Sequence, residues 1–586
     1  MADHGESRLL VAYLRPHRGR VIALAGILVA AMLLPVLGPV LLGVFVNRAI
    51  DGAPVSQLTT IAAVFLVVTL TADGLQLLVT WLSVRLAWEV GNQLRSDLAR
   101  KATSLELAWH GTHSPGLLIE RIDGDIEAIN KFSSTAVLQL LGNAVLLVGV
   151  LTVACIVDWR AGLLIGTAAV LAGGLLVKLR AVGIPAHDHE REVLSRLYGD
   201  LEERLGGLED LRANGAGRYG VHRLHEHSWR WWHAARRAAL LGDSSYVAAG
   251  VVFAIGSAGT LGLGVWLLRQ GELSTGAVLV LFRFAQMIKE PLERIAEQMR
   301  EFRKAAAGAR RAGRMLATEP RILDGPGTPV PAGPLSLELR DVSLVYDDED
   351  PEERQAVLHD LDLRVEAGTV LGVLGRTGSG KTSLGRLLLR FWDPTSGAVL
   401  VGGVDLRDTI AADLRRRVGV VTQEVELLRA SVRDNLTMFD TWPAGDERLA
   451  EVLDDVGLGP WLEGLPDGLA TELAGSDALS AGEAQLLAFA RVLLADPGLV
   501  VLDEASSRLD PDTEARVTAA TERLLAGRTV VVIAHRLATL DRADEILVMD
   551  HGRVVEHGAR AVLLADPLSR YRHLLRASAA ASAEVA

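Results

Sequence analysis

Residues 369–391 read TVLGVLGRTGSGKTSLGRLLLRF. Thr369 to Leu374 is an apolar strand pattern and Lys381 to Phe391 a helical one. The glycine-rich turn between them has the spacing G-x-x-x-x-G-K-[ST]. Glycine at 375, 378 and 380 lets backbone N–H groups close around phosphate oxygens, and the N-terminus of the next helix adds positive potential. Gly375, Arg376, Thr377, Gly378, Ser379, Gly380, Lys381, Thr382 and Ser383 are therefore the candidate phosphate cradle. Lys381 would pair with the outer phosphates of a nucleotide, and Thr382 would ligate Mg2+.

Working outward, short apolar runs at Val418 to Thr422, Leu499 to Leu502 and Thr529 to Ile533 alternate with helical patterns. They predict an α/β domain around a mostly parallel sheet. The run Leu499 to Leu502 ends in Asp503-Glu504, two acids at the carboxyl end of a strand, where ligands bind in such sheets. Asp503 is the expected Mg2+ carboxylate and Glu504 the group that orients and polarises an attacking water. On the N-terminal side, Asp324 to Pro334 has the glycine and proline content of a linker. The expected organisation is a spanning domain over 1–316, a linker over 317–334, a nucleotide-binding domain over 335–576 and a frayed tail over 577–586.

The remaining half is greasy. A chain of 586 residues exceeds one ordinary core, and 49% hydrophobic residues beside 23% charged ones imply one apolar part and one ordinary part. Val21 to Val46 holds no ionisable side chain. At 1.5 Å per residue it reaches roughly 39 Å, enough to cross a ~30 Å hydrocarbon layer with tilt and too long for a cleaved signal peptide. Similar runs at about 58–83, 134–157, 161–179, 244–268 and 273–289 make six expected spans. Arg8, Arg15, Arg18 and Arg20 precede the first, and eleven Lys/Arg lie from Lys178 to Arg237. The opposite loops carry Arg48, Arg160 and Arg269, so both termini are expected in the cytoplasm of a cell with an inner or plasma membrane. The long basic-side loops, about 84–133 and 180–243, keep helical periodicity and turn at Gly111 to Gly116 and Gly206 to Gly215. A net charge of −12 argues against a nucleic-acid partner, and a single cysteine, Cys155, against disulfides or a cysteine metal cluster.

These motifs together resemble the ABC transporters, in particular half-transporters of the exporter type. Tyr346 stands where that family has its adenine-stacking aromatic, and Gln423 where its glutamine touches Mg2+ and the membrane domain. Leu479-Ser-Ala-Gly-Glu-Ala-Gln485 is similar to the family signature, Ser507-Arg-Leu-Asp510 to its D-loop, and His535 to the histidine that senses the γ-phosphate. His110 to Asn130 and Gly207 to Gly215 resemble the family's two cytoplasmic loops. The resemblance implies ATP and Mg2+ as cofactors. It also implies two chains pairing around two nucleotides, Ser480 and Gly482 of one facing the phosphates held by the other. The implied activity is ATP hydrolysis coupled to alternating access.

Three departures stand out: Ala481 for a glycine, Glu483 for a glutamine and Arg508 for a small residue, with Gly475-Ser476 a weaker fourth. Because Lys381, Gln423, Glu504 and His535 are kept, the expected partner is a second, related half-transporter, with a homodimer as the alternative. Asp73 and Arg283 are intramembrane charges and candidate substrate contacts; Trp81, Trp266 and Met287 suit a cavity wall or a lipid interface. The expected cargo is an amphipathic small molecule, a lipid or a small peptide. A leader-cleaving peptide exporter is disfavoured, since no peptidase domain precedes the first span. The alternatives are an importer of siderophores or lipids and an ATP-binding regulatory or sensor subunit.

Overall fold

Proline decides the shape of the first and last apolar helices. In the computed structural model, which describes residues 11–346, 356–475, 478–503, 511–534 and 537–576, the first apolar run is not one straight rod. Arg18–Leu33 and Leu37–Ile50 are joined by a 3-10 turn, Leu34–Val36. Pro35 in that turn has no N–H to give the carbonyl four residues back. The last run is an apolar helix of 13 residues, Thr275–Met287, capped by Ser274 and followed after Ile288 by the charged helix Lys289–Ala317. Pro291 removes the bond that would have reached the Met287 carbonyl. Five helices among the described residues are long and apolar enough to cross a membrane: Val11–Ile50, Val55–Ser104, Pro115–Val157, Trp159–Gly206 and Gly217–Arg269. The sixth expected span is thus the short helix, about 20 Å long. Three of the five have 48 to 53 residues, more than twice what a bilayer needs, so the helical reading of the long loops holds.

The chain forms two units, Met1–Thr103 with Pro115–Thr318, and Ser104–Ser114 with Glu319–Ala586. In the first, Gly43 and Gly276 let two helices touch backbone to backbone; a Cβ on Gly276 would overlap the Gly43 carbonyl. Asn47 fixes the crossing, accepting from the Gly276 N–H at 2.7 Å and donating to Ser274 Oγ at 2.8 Å. Asp125, 4% exposed, takes a two-pronged bond from Arg311, with the Nε contact at 2.8 Å.

The second unit holds two sheets. Strands are β1 Leu337–Val345, β2 Ala356–Val365, β3 Val370–Gly375, β4 Ser396–Val401, β5 Val404–Asp405, β6 Val418–Val421, β7 Leu499–Asp503, β8 Thr529–Ile533, β9 Glu545–Asp550 and β10 Arg553–Ala559. The larger sheet has the order β10-β9-β3-β8-β7-β6 and is parallel except for the β9–β10 edge. Its central strand is buried on both faces. Leu371 and Val373 pack with Leu337, Leu339 and Leu363, while Val370 and Leu374 pack on the helical side with Leu486 and Leu487. The smaller sheet, β2-β1-β4-β5, is antiparallel throughout and was not anticipated. Its strands are interrupted by bulges that break their alternation. The glycine- and proline-rich segment after Glu319 is laid against this unit. Gly325 N–H donates to the Thr409 carbonyl at 3.0 Å, Thr328 N–H to Asp408 at 2.9 Å, and the buried Arg390 to the Leu323 carbonyl at 2.7 Å.

Candidate nucleotide-binding site

The parallel strands β3, β8, β7 and β6 end at one edge of the larger sheet, and register fixes which residues meet there. Val373 and Asp503 both lie opposite Ile533, and Val421 lies opposite Leu502. Gly375, Asp503 and the segment leading to Gln423 therefore share one rim. Glu504 and His535, with Ser507 to Asp510 and Ser476, lie outside the described residues. β7 stops one residue before Glu504 and β8 two residues before His535.

The turn after β3 is shaped for an anion. Gly378 and Gly380 sit at φ +83° and +99°, where a side chain is strained. Gly375 has no space for a Cβ, which would run into Ser379 Oγ and the Met549 carbonyl. The helix Lys381–Leu388 begins on Gly380, so its free N–H groups line the turn. Lys381 is 6% exposed, and its Nζ donates to the carbonyls of Gly375 at 2.7 Å and Arg376 at 3.0 Å. Burial pulls its ammonium below the ordinary lysine range, and the charge of Asp503 opposes that. Ser379 Oγ is buried with no hydrogen-bond partner among the described residues. Positive φ, free N–H groups and a half-satisfied cation fit a nucleotide polyphosphate. Thr382 and Gln423 are exposed and Asp503 is half-buried, all oxygen ligands of the kind Mg2+ prefers.

Tyr346 is tied to this helix: its hydroxyl donates to Ser383 Oγ at 2.9 Å and accepts from Arg386 at 3.4 Å. Its ring meets Trp392 edge-on at 5.2 Å, and Arg386 lies over the Trp392 ring. Trp392 was missed by sequence reasoning; its place just beyond the helical pattern was the available signal.

Ser480 is the N-cap of the helix Ala481–Ala495, and Gly482 is buried within its first turn. Ser480 hydrogen-bonds Glu483, not a residue of the phosphate turn. Glu483 Oε2 accepts from Ser480 N–H at 3.0 Å and from Ser480 Oγ at 2.7 Å, and Ser480 Oγ accepts from Glu483 N–H at 3.4 Å, a capping box. The same helix carries Arg491, also missed, which donates to the Asn435 carbonyl at 2.7 Å, Asn435 Oδ1 at 3.1 Å and the Glu426 carbonyl at 3.3 Å. Fully buried Asn435 in turn holds Leu428 through both its N–H and its carbonyl, at 2.9 Å each. The signature helix is thereby pinned to the loop that follows Gln423.

Residues 21–292 match the family described as ABC transporter transmembrane region, and residues 358–507 match the family ABC transporter. The chain belongs to the ABC transporters. It joins a helical transmembrane region to an ATP-binding P-loop domain in one multi-pass membrane protein, and half-transporters of this type pair. Among similar proteins, an uncharacterised ABC transporter ATP-binding protein of Bacillus subtilis is 29% identical over 95% of this chain and 92% of its own. An ATP-dependent lipid A-core flippase of Syntrophus aciditrophicus is 28% identical over 95% and 92%. A multidrug efflux ATP-binding/permease protein of Mycobacterium tuberculosis is 32% identical over 83% of this chain and 41% of its own. The relatives with a stated activity are a flippase and an efflux protein, which disfavours the importer alternative.

Proposed function

We propose that this ABC transporter chain is one half of an ATP-driven exporter of amphipathic small molecules, lipids or peptides. It would sit in the inner or plasma membrane with both termini and the ATPase domain in the cytoplasm. The observation that carries the reading is the anion-shaped turn Gly375–Thr382 at the sheet edge it shares with Asp503, in a chain whose described residues also hold five membrane-length apolar helices. In this proposal residues 1–316 span the membrane and 335–576 form the nucleotide domain.

In this reading each residue of the site takes a distinct role. Backbone N–H groups of Arg376 to Gly380 and the N-terminus of the next helix bind phosphate, and Lys381 leaves its own carbonyls to neutralise the outer phosphates. Thr382, Asp503 and Gln423 hold Mg2+, Glu504 orients water, His535 contacts the outer phosphate, and Tyr346 with Trp392 walls the base. ATP, when bound, supplies the free energy of phosphoryl transfer. Ser480 and Gly482 face the nucleotide held by the other chain. Because the Glu483 carboxylate already holds the Ser480 hydroxyl, this half of the composite site starts out engaged, which supports a heterodimer with a second half-transporter.

The test is Mg2+-dependent ATP hydrolysis by the chain purified alone in lipid, with Glu504→Gln as control, followed by ATP-dependent uptake into inside-out vesicles. Glu504-dependent turnover by the chain alone would establish a homodimer and remove the heterodimer. Nucleotide binding without turnover, restored by a related half-transporter, is the expected outcome. A chain that binds no ATP, or moves cargo only toward the ATPase side, would overturn the proposal.

A further inference from the structure

Two antiparallel helices of the membrane unit carry a patch of tryptophan and arginine on their outer face. Arg18–Leu33 packs through Leu24 and Leu28 against Val79 of Val55–Ser104. Past that apolar contact the pairing turns polar. Arg20 Nη1 donates to Glu89 Oε2 at 2.6 Å, and further out the Tyr13 hydroxyl donates to Asp97 Oδ2 at 2.7 Å. Arg20 is also the last residue before the run Val21 to Val46, which holds no ionisable side chain, so the edge of the hydrocarbon layer falls at its level.

The outer face of Val55–Ser104 changes character at the same level. Leu77, Trp81, Arg85 and Trp88 follow one another at helical spacing, and all are exposed, Trp81 by 57% and Trp88 by 53%. The order apolar, aromatic, cationic, aromatic over about 16 Å is that of a stripe crossing from hydrocarbon into headgroups. Arg85 lies over the Trp81 ring at 5.6 Å and donates to Glu89 Oε1 at 3.2 Å. One carboxylate thus divides itself between two guanidinium groups that are each more than half exposed, 63% for Arg20 and 61% for Arg85. Exposed pairs of this kind are weak. Arg15 and Arg18, also exposed, make no side-chain hydrogen bond or ion pair among the described residues, and Asp97 is offset by Arg100. Arg15, Arg18, Arg20 and Arg85 against Glu89 leave the patch with three net positive charges.

We infer that this patch is a docking site for an anionic glycerophospholipid, its phosphate between Arg20 and Arg85 and its acyl chains along Leu77 and Trp81. The inference goes beyond the export reading and needs only that these helices cross a bilayer. Charge selects the occupant. A zwitterionic headgroup brings its own cation and gains little from a positive patch, whereas an anionic one answers it. Each arginine gives Glu89 a single bond, and a guanidinium has five N–H donors, so paired bonds to phosphate oxygens stay open to both.

The test is native mass spectrometry of the full chain released, without nucleotide, from micelles that hold equal amounts of phosphatidylglycerol and phosphatidylcholine with matched acyl chains. The unaltered chain should retain phosphatidylglycerol in preference. Arg20→Gln and Arg85→Gln should each weaken that retention by about fivefold and leave phosphatidylcholine unchanged. Glu89→Gln works in the opposite direction. It releases both guanidinium groups, so retention of phosphatidylglycerol should rise, a gain that misfolding does not produce. Equal retention of the two lipids by the unaltered chain overturns the inference and needs no variant to fold. So does a Glu89→Gln chain that retains no more phosphatidylglycerol than the unaltered one. An Arg85→Gln chain that loses its pairing with a second chain while keeping phosphatidylglycerol assigns the face to the partner, and overturns the inference as well. None of these readouts depends on ATP or on transport, so failure of the export proposal leaves the lipid site standing, and its own failure leaves export untouched.

Discussion

Three glycines of the phosphate turn differ in why they are glycine, and alanine at each gives a graded prediction. Gly378 sits at φ +83° with open space around it, so Gly378→Ala adds backbone strain alone, about 1 kcal/mol. Gly380 adds crowding to strain. At φ +99°, its Cβ would lie 2.6 Å from Leu358 Cδ2, a fully buried side chain, and overpacking of that kind costs ~1–3 kcal/mol more. Gly375 is the opposite of Gly378, with an ordinary backbone but a Cβ that meets the Met549 carbonyl. That carbonyl belongs to β9, paired in register with Gly375, and cannot swing aside as a side chain can. Its cost is therefore the largest, about 3 kcal/mol or more. Thermal unfolding midpoints of the purified chain in detergent read the order, at roughly 2–4 °C per kcal/mol for a unit of this size. ATP at a hundredfold excess over its Kd should raise the unaltered chain by about 2.7 kcal/mol. Gly375→Ala should lose that protection, because the turn it displaces is the phosphate cradle. If Gly378→Ala proves as damaging to unliganded stability as Gly375→Ala, the separation of strain from crowding is wrong. If Gly375→Ala keeps full protection by ATP, the assignment of the cradle is wrong.

Other substitutions bear on the remaining contacts. Lys381→Met should abolish protection by ATP while leaving unliganded stability at pH 7 within about 1 kcal/mol or raised, because a desolvated ammonium is removed. The folded-state pKa of Lys381 lies below its unfolded one, so the unaltered chain carries the penalty at neutral pH and sheds it as pH rises through the folded value. The advantage of the variant should shrink toward alkaline pH, and a widening gap would contradict the argument. Arg491→Met removes the bonds that Arg491 gives to Asn435 and to the Glu426 carbonyl and should cost about 2–3 kcal/mol, lowering the unfolding midpoint and hydrolysis together. Loss of hydrolysis at unchanged stability would point to a different role. Glu483→Gln keeps a capping-box residue and removes its charge, so stability should shift by less than about 1 kcal/mol. Hydrolysis by the assembled pair should rise as Ser480 is freed for phosphate, and a fall in rate would show that Glu483 assists rather than competes.

The phosphate turn was legible because its chemistry is local. Spacing alone put glycine where φ is positive and lysine at a helix start, and the strand Thr529–Ile533 came out with the bounds read from its pattern. The membrane helices were legible for a related reason: a bilayer demands apolar runs of fixed length, and composition records them. Proline in the first run and just past the last was visible too, but its effect depends on which carbonyl goes unbonded, and composition does not register that.

What tertiary structure alone decided concerns residues far apart in the chain. The sequence determined that Asp503 ends a strand; register with Ile533 placed it on the rim of Gly375. It marked Glu483 as a departure, and folding made that carboxylate the partner of the Ser480 hydroxyl. Nothing local announces that Arg491 would pin the loop after Gln423, that Trp392 would stand against Tyr346, or that Asp73 and Asn143 would share one cavity. Local pattern fixes conformation and burial along one element, whereas these pairings depend on how elements stack, and the stacking energy is spread over many contacts that no single segment contains.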